Sequence, residues 1–207
     1  MGIAERKERT RDELRARILK TAEKLFVAQG YENVSMRMIA REIEYSATTI
    51  YHHFKDKGEL FACLLESYHG MLHERMQELY RRQDLDPVAA VRQGMRAYTE
   101  FGLANPSYYK LAFMSPPEFK AEAYLEAGAK GTELFLGLRA RVEACIRQGL
   151  FREMDPDLAA QVVWTMNHGV TSLLLSNPNF PWKERDVLID SVIDCTIAGL
   201  LASKESR

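Results

Sequence analysis

The chain has 207 residues, with 28 lysines and arginines against 29 aspartates and glutamates, five histidines and 46% hydrophobic residues. That length allows one large domain or a small module joined to a larger one, and the composition excludes the disordered and fibrous classes. The near-neutral charge argues against nucleic-acid contact built on bulk charge alone, and Cys63, Cys145 and Cys195 are too scattered for a disulfide framework or a C-x-x-C unit.

The first seventeen residues, MGIAERKERTRDELRAR, carry charge with no apolar run behind them, so no signal peptide is expected there. Arg6, Lys7, Arg9 and Arg11 are predicted to form an unstructured cationic arm able to neutralise phosphates along a duplex; an ordinary solvated terminus is the alternative. Leu14, Ile18, Leu19, Ala22, Leu25 and Phe26 then recur at helical spacing up to a stop at Gly30. Ser35 is placed to cap a short second helix, Met36 to Ile43, and Ser46 a third, Ala47 to Phe54. A long fourth helix is expected from about Asp56 to Tyr80. A fifth follows Asp86-Pro87 and ends at Asn105-Pro106, and SYYKLAFM makes a short sixth before Pro116-Pro117. Glu118 to Gln148 continues in helical pattern. Asp155-Pro156 opens a helix to about Ser176, and the last helix runs from about Lys183 to Ala202. With no alternating β-branched run, the fold class is all-α, about nine helices. The domain boundary is drawn near residue 56, giving an N-terminal arm and reader over 1–56 and a larger helical domain over 57–207. Leu158 to Trp182 lacks charge, but its asparagines and SNPNFP tail mark a buried helix and a turn, not a membrane span.

The second and third helices, joined by Glu44-Tyr45-Ser46, have the proportions of a helix-turn-helix. Ile50 and Phe54 lie four apart and face inward, which leaves Ala47, Thr48, Tyr51 and His52 outward and Thr49 at the edge. Lys55 and Lys57 stand at the helix end, where an ammonium can meet a phosphate. The same periodicity also suits a plain three-helix bundle with no ligand.

The residues themselves favour the first reading. From residue 14 to 61, and most specifically at Ala22, Leu25-Phe26, Gly30-Tyr31, Ser35, Ile39-Ala40, Thr49-Ile50-Tyr51-His52-His53-Phe54, Lys57 and Leu60, the chain resembles the DNA-binding domain of the TetR family of bacterial transcriptional regulators. The resemblance implies that Ser35 caps the second helix beside the phosphate backbone, that Ala47, Thr48 and Thr49 lie at base edges, and that Tyr51 and His52 touch backbone and bases. It also implies that Lys57 binds a phosphate, with Arg37 suited to another. One departure stands in the turn. The family pattern has Ala-Gly-Val where this chain has Ile43-Glu44-Tyr45, so Glu44 is expected to carry local strain and to bring a negative charge toward the phosphates.

The resemblance further implies a homodimer, and the last two helices, rich in apolar and small residues, suit a four-helix interface; a purely intrachain core is the other possibility. Between the ends, Tyr98, Phe101, Tyr108, Tyr109, Phe113, Met114, Tyr124, Trp164 and His168 are expected to line an apolar pocket, although each taken singly suits an ordinary core. NPSYYKLAFM with WTMNHG resembles a C-terminal subtype marked by Trp, His and Gly, here Trp164, His168 and Gly169. The function expected is a cytoplasmic, sequence-specific repressor of double-stranded DNA, released from its operator by an apolar or aromatic small molecule that shifts the fourth helix. The alternative is a repressor that is constitutive or controlled by a protein partner. No arranged nucleophile and base, no phosphate loop and no metal-ligand set stands out, since His69 and His73 lack a third partner by pattern. No enzyme activity, cofactor or membrane contact is expected.

Overall fold

The computed structural model describes residues 3–82, 85–114 and 117–202, with side chains at 5–82, 85–114 and 131–202. Among the described residues the architecture is all helical: α1 (Ile3–Gln29), α2 (Met36–Glu42), α3 (Ala47–Tyr51), α4 (Lys57–Tyr80), α5 (Pro87–Ala104), α6 (Pro106–Phe113), α7 (Pro117–Arg147), α8 (Pro156–Ser176) and α9 (Arg185–Leu200). The only extended pairing among them is an isolated bridge between Phe151 and Leu201. No described helix is long and apolar enough to cross a membrane.

The helix starts follow local chemistry. Ser35, Ser46, Asp86 and Asp155 each accept a hydrogen bond from a backbone N–H in the first turn of the helix they precede, and Pro87 and Pro156 occupy first-turn positions that need no donor. One sequence expectation is corrected. Arg6, Lys7, Arg9 and Arg11 belong to α1, which is helical from Ile3 onward. No Gly or Pro interrupts Ile3–Gln29, Arg9 pairs with Glu13 one turn on, and the Thr10 hydroxyl donates to the Arg6 carbonyl. Good helix formers without a breaker outweighed the charge density that suggested disorder.

The helices divide into two compact units. One comprises Met1–Tyr68 and Ser107–Gly128, the other His69–Pro106 and Ala129–Arg207. This is a division by packing, whereas the boundary near residue 56 is one of expected role. In the first unit Ile18, Ala22 and Phe26 of α1 join Ile39, Ala40, Ile50, Phe54, Leu60 and Phe61 in a buried core. Phe26, Tyr31 and Phe61 lie within 6.1 Å of one another by ring centroids. In the second unit α5, α8 and α9 enclose Val91, Met95, Val163, Ile189, Ile193 and Ile197, with Val142 and Cys145 of α7.

Two helix ends show how the turn chemistry works. At the end of α7, Gly149 N–H donates to Ile146 and Leu150 N–H to the Cys145 carbonyl, with Gly149 at φ 66°. At the end of α2, Glu44 N–H donates to Arg41 and Tyr45 N–H to the Ala40 carbonyl, with Glu44 at φ 61°. Both are Schellman closures, which require a left-handed residue just past the cap. Glycine meets that requirement without a Cβ clash; glutamate does not. Glu44→Gly is therefore expected to stabilise the protein by about 1 kcal/mol, raising the melting temperature by roughly 2–4 °C. Glu44→Ala, which removes the charge but keeps the Cβ, should give no such gain in the same thermal scan.

Candidate functional site

The α2–turn–α3 segment is held from three directions by cations. Arg17 on α1 donates to the Ile43 carbonyl at 2.9 Å, and its guanidinium lies 5.6 Å from the Tyr45 ring centroid. Arg15 donates to the His53 carbonyl at 2.9 Å and to Cys63 Sγ at 3.1 Å, with its guanidinium 4.2 Å from the Phe54 centroid. Lys57 Nζ donates to the Tyr31 carbonyl at 2.8 Å and lies 3.9 Å from the Tyr31 ring. Each supplies a donor to a carbonyl at or just beyond a helix end, where backbone acceptors lack intrahelical partners. Burial holds the Lys57 ammonium below its usual range, against a smaller opposing effect of Glu32. His53 is pushed down too, by burial first and then by the charges of Arg11 and Arg15.

This fixing decides what α3 presents. Ile50 is fully buried and Phe54 is 1% exposed, while Tyr51 keeps 53% of its surface. Thr48 and His52 are exposed beside it, and Ala47 and Thr49 are half-buried at the edge. Ser46 accepts from the Thr49 amide at 3.1 Å and its hydroxyl meets the Thr49 hydroxyl at 2.9 Å, which fixes the start of α3. Ser35 accepts from the Met38 amide at 3.3 Å, and Arg37 stands exposed in the first turn of α2. The result is a surface of small residues, hydroxyls, a phenol and an imidazole, chemistry suited to base edges and phosphates in a major groove. Lys57 stands at the start of α4 as expected and is half-buried against Tyr31, with part of its donor capacity used there. Arg15 and Arg17 were not singled out from the sequence. Their signal was two cations flanking the apolar stripe of α1, but the carbonyls they reach lie 38 and 26 residues away.

The residues expected to sense a ligand fall into separate groups. In the first unit Tyr109 is fully buried and its ring lies 4.9 Å from that of Phe113, while Tyr108 stacks on Tyr68 at 4.2 Å. Burial raises the Tyr108 phenol well above its ordinary range. In the second unit Trp164 Nε1 donates to the Tyr98 hydroxyl at 3.3 Å, and the Trp164 ring lies 6.1 Å from Phe135. Trp164 is 40% exposed. His168 is half-buried one turn further along α8, and Phe101, with Asn105, borders an open groove of about 600 Å³ beside Met71, Glu74, Arg75 and Glu78 of α4. Tyr124 falls outside the described side chains.

Comparisons with known proteins converge on one kind of molecule. Residues 18–64 match the family model for bacterial regulatory proteins of the tetR family, and residues 91–197 match a tetracyclin repressor-like C-terminal domain. An HTH-type transcriptional regulator of Staphylococcus aureus strain USA300 is 50% identical over 48 residues. That match covers 23% of this chain and 26% of the relative, so only about a quarter of the curated relative's length is spanned. Among solved structures, the TetR family transcriptional regulator PfmR of Thermus thermophilus is 26% identical, with a TM-score of 0.70 over 88% of this chain and 98% of its own. The fatty acid degradation regulator FadR of Bacillus halodurans shares the fold at 16% identity, TM-score 0.74, over 88% and 94% of the two chains. So does the ketosteroid transcriptional regulator KstR2 of Mycobacterium tuberculosis, at 17% identity and TM-score 0.71 over 91% and 95%.

Proposed function

The chain belongs to the TetR family of DNA-binding transcriptional regulators, and on that premise we propose that it is a homodimeric repressor released from its operator by a small apolar or aromatic effector. Its work is control of transcription, not catalysis. The observation that carries the proposal is the pairing of a rigidly held reading face on α3 with an uncharged, solvent-facing stripe on the last two helices. A single head touches too few bases for tight specific binding, and two heads at a half-site spacing of about one helical turn, roughly 34–36 Å, supply the rest.

The stripe on α8 consists of Leu158, Val162, Thr165, Met166 and Leu173, all exposed, with Gly169 among them. On α9 Val187, Ser191, Cys195 and Ala198 recur at the same helical spacing and are also exposed. The carboxylates of α9 beside this stripe have cationic neighbours on α5 of the same subunit. Asp190 pairs with Arg96 and Asp194 with Arg92, and Asp186 lies 4.0 Å from Arg96. An apolar, self-complementary surface of small and aliphatic side chains suits a two-fold partner of the same sequence.

On the reading face, Ala47, Thr48 and Thr49 are assigned to base edges, Tyr51 and His52 to bases and backbone, and Ser35, Arg37 and Lys57 to phosphates. Thr48→Ala is expected to change the ranking among operator sequences in a competition binding assay. Lys57→Ala should weaken all sequences alike and lower the slope of log affinity against log salt by about one. An unchanged slope would leave Lys57 only its structural bond to Tyr31.

For the effector, Tyr98, Phe135 and Trp164, with Phe101 and His168, offer an aromatic group in the second unit where Trp164 keeps solvent access, and Tyr108, Tyr109 and Phe113 are a separate assigned group in the first. Effector and operator then oppose each other by a shared coupling free energy. Capture of bound genomic fragments identifies the operator. Operator affinity with and without saturating effector then tests release, and equal affinities defeat it.

A further inference from the structure

The buried stripe of α5 runs Val91, Met95, Thr99, and that of α8 runs Val163, Asn167, Val170. Four of these six side chains are aliphatic or thioether. The other two, Thr99 at 0% and Asn167 at 4% exposure, bury a hydroxyl and a carboxamide on the same helix stripes as Met95 and Val163, which share one core. Neither Thr99 Oγ1 nor Asn167 Oδ1 has a hydrogen-bond partner. Buried polar atoms in that state are rare, because each has given up water and received nothing in exchange.

Elsewhere α8 and α9 satisfy such groups with ease. The hydroxyls of Thr171, Ser176, Ser191 and Thr196 each donate to the carbonyl four residues earlier, at 2.7 Å. Thr99 has the Met95 carbonyl at the same spacing and makes no such bond. Its neighbour Tyr98 accepts from Trp164, so α5 and α8 are joined one residue from Thr99 and one turn from Asn167.

We propose that the seam between α5 and α8 is a binding site for the uncharged hydroxyl group of a compact apolar molecule, held by Thr99 and Asn167 with its body against Tyr98 and Trp164. A hydroxyl donates to the Asn167 carbonyl oxygen and exchanges a bond with the Thr99 hydroxyl, so it satisfies both. A carboxylate does not, since it offers Asn167 Oδ1 only acceptors, and α8 has no charged residue between Leu158 and Ser176 to neutralise it. The inference rests on the reading that this regulator has a small-molecule effector, and it adds that effector's polar chemistry.

The test uses three probes with one body: cyclohexylmethanol, methylcyclohexane and cyclohexanecarboxylate. They are titrated into the full-length protein without DNA, in a Trp182→Phe background that leaves Trp164 as the sole tryptophan reporter. The alcohol is expected to bind about tenfold tighter than the hydrocarbon, with the carboxylate weakest. In the double variant Thr99→Val, Asn167→Leu that preference disappears while the melting temperature rises, because two unpaired buried groups have been removed. Equal binding of alcohol and hydrocarbon, no binding by any of the three, a preference that survives the double variant, or a fall in its melting temperature each overturns the site. Operator affinity is measured separately. Alcohol bound with operator affinity unchanged supports the seam and defeats effector release, whereas release without a head-group preference does the reverse.

Discussion

Met166→Arg is expected to leave a folded monomer that has lost specific operator binding. Met166 is 38% exposed in the middle of the α8 stripe and lies outside the buried core, so the substitution should leave the melting temperature of the isolated subunit close to that of the wild type. In the two-fold assembly, however, each copy would bring a guanidinium into an apolar interface, and the two-fold axis doubles the penalty. Losing the second head forfeits the effective-concentration gain of bivalent binding, so operator affinity should fall by at least about a hundredfold. Sedimentation equilibrium and an operator titration on the same sample check both halves. A dimer that persists would move the interface away from α8.

Arg15→Ala is the second large effect, and it acts inside one subunit. Arg15 touches the His53 carbonyl, Cys63 Sγ and the Phe54 ring at once, and so ties the end of α3 to α1 and α4. Truncation leaves that carbonyl without its charged donor and removes a cation–π contact, a loss of about 2–3 kcal/mol, or roughly 5–10 °C in melting temperature. Because α3 is only five residues long, it has little intrinsic stability and takes its orientation from such ties. Operator affinity is expected to fall for all sequences together, with the salt slope unchanged, since Arg15 faces a carbonyl and not a phosphate. A reduced slope would instead make Arg15 a phosphate ligand.

These residues also mark where the sequence was legible. Ser35, Ser46, Asp86-Pro87 and Asp155-Pro156 carry their caps in their own side chains, so the helix starts could be read locally. The strain at Glu44 was legible for the same reason, since one residue decides whether φ above zero is comfortable. The face of α3 followed from Ile50 and Phe54 alone. What could not be read were bonds whose partners are distant in the chain. Arg15 and Arg17 gain their role, and Lys57 a second bond beside its expected one, only when the fold brings the carbonyls of His53, Ile43 and Tyr31 to them. At the start of α1 charge density suggests an unstructured arm, whereas the lack of a helix breaker decides the outcome. Thr99 and Asn167 gave no signal, because one polar residue in an apolar stripe is ordinary until its missing partner is known.

The pairing of α9's aspartates with Arg92 and Arg96 has a consequence for how the protein leaves DNA. Those ion pairs close within one subunit, so the surface assigned to dimerisation holds little that dissolved ions can screen. Phosphate contacts, in contrast, are lost steeply as counterions accumulate. For the proposed dimer, rising ionic strength is therefore expected to dissolve one equilibrium and spare the other: the species that departs would be an intact pair of heads, and recapture a single bimolecular event that needs no reassembly.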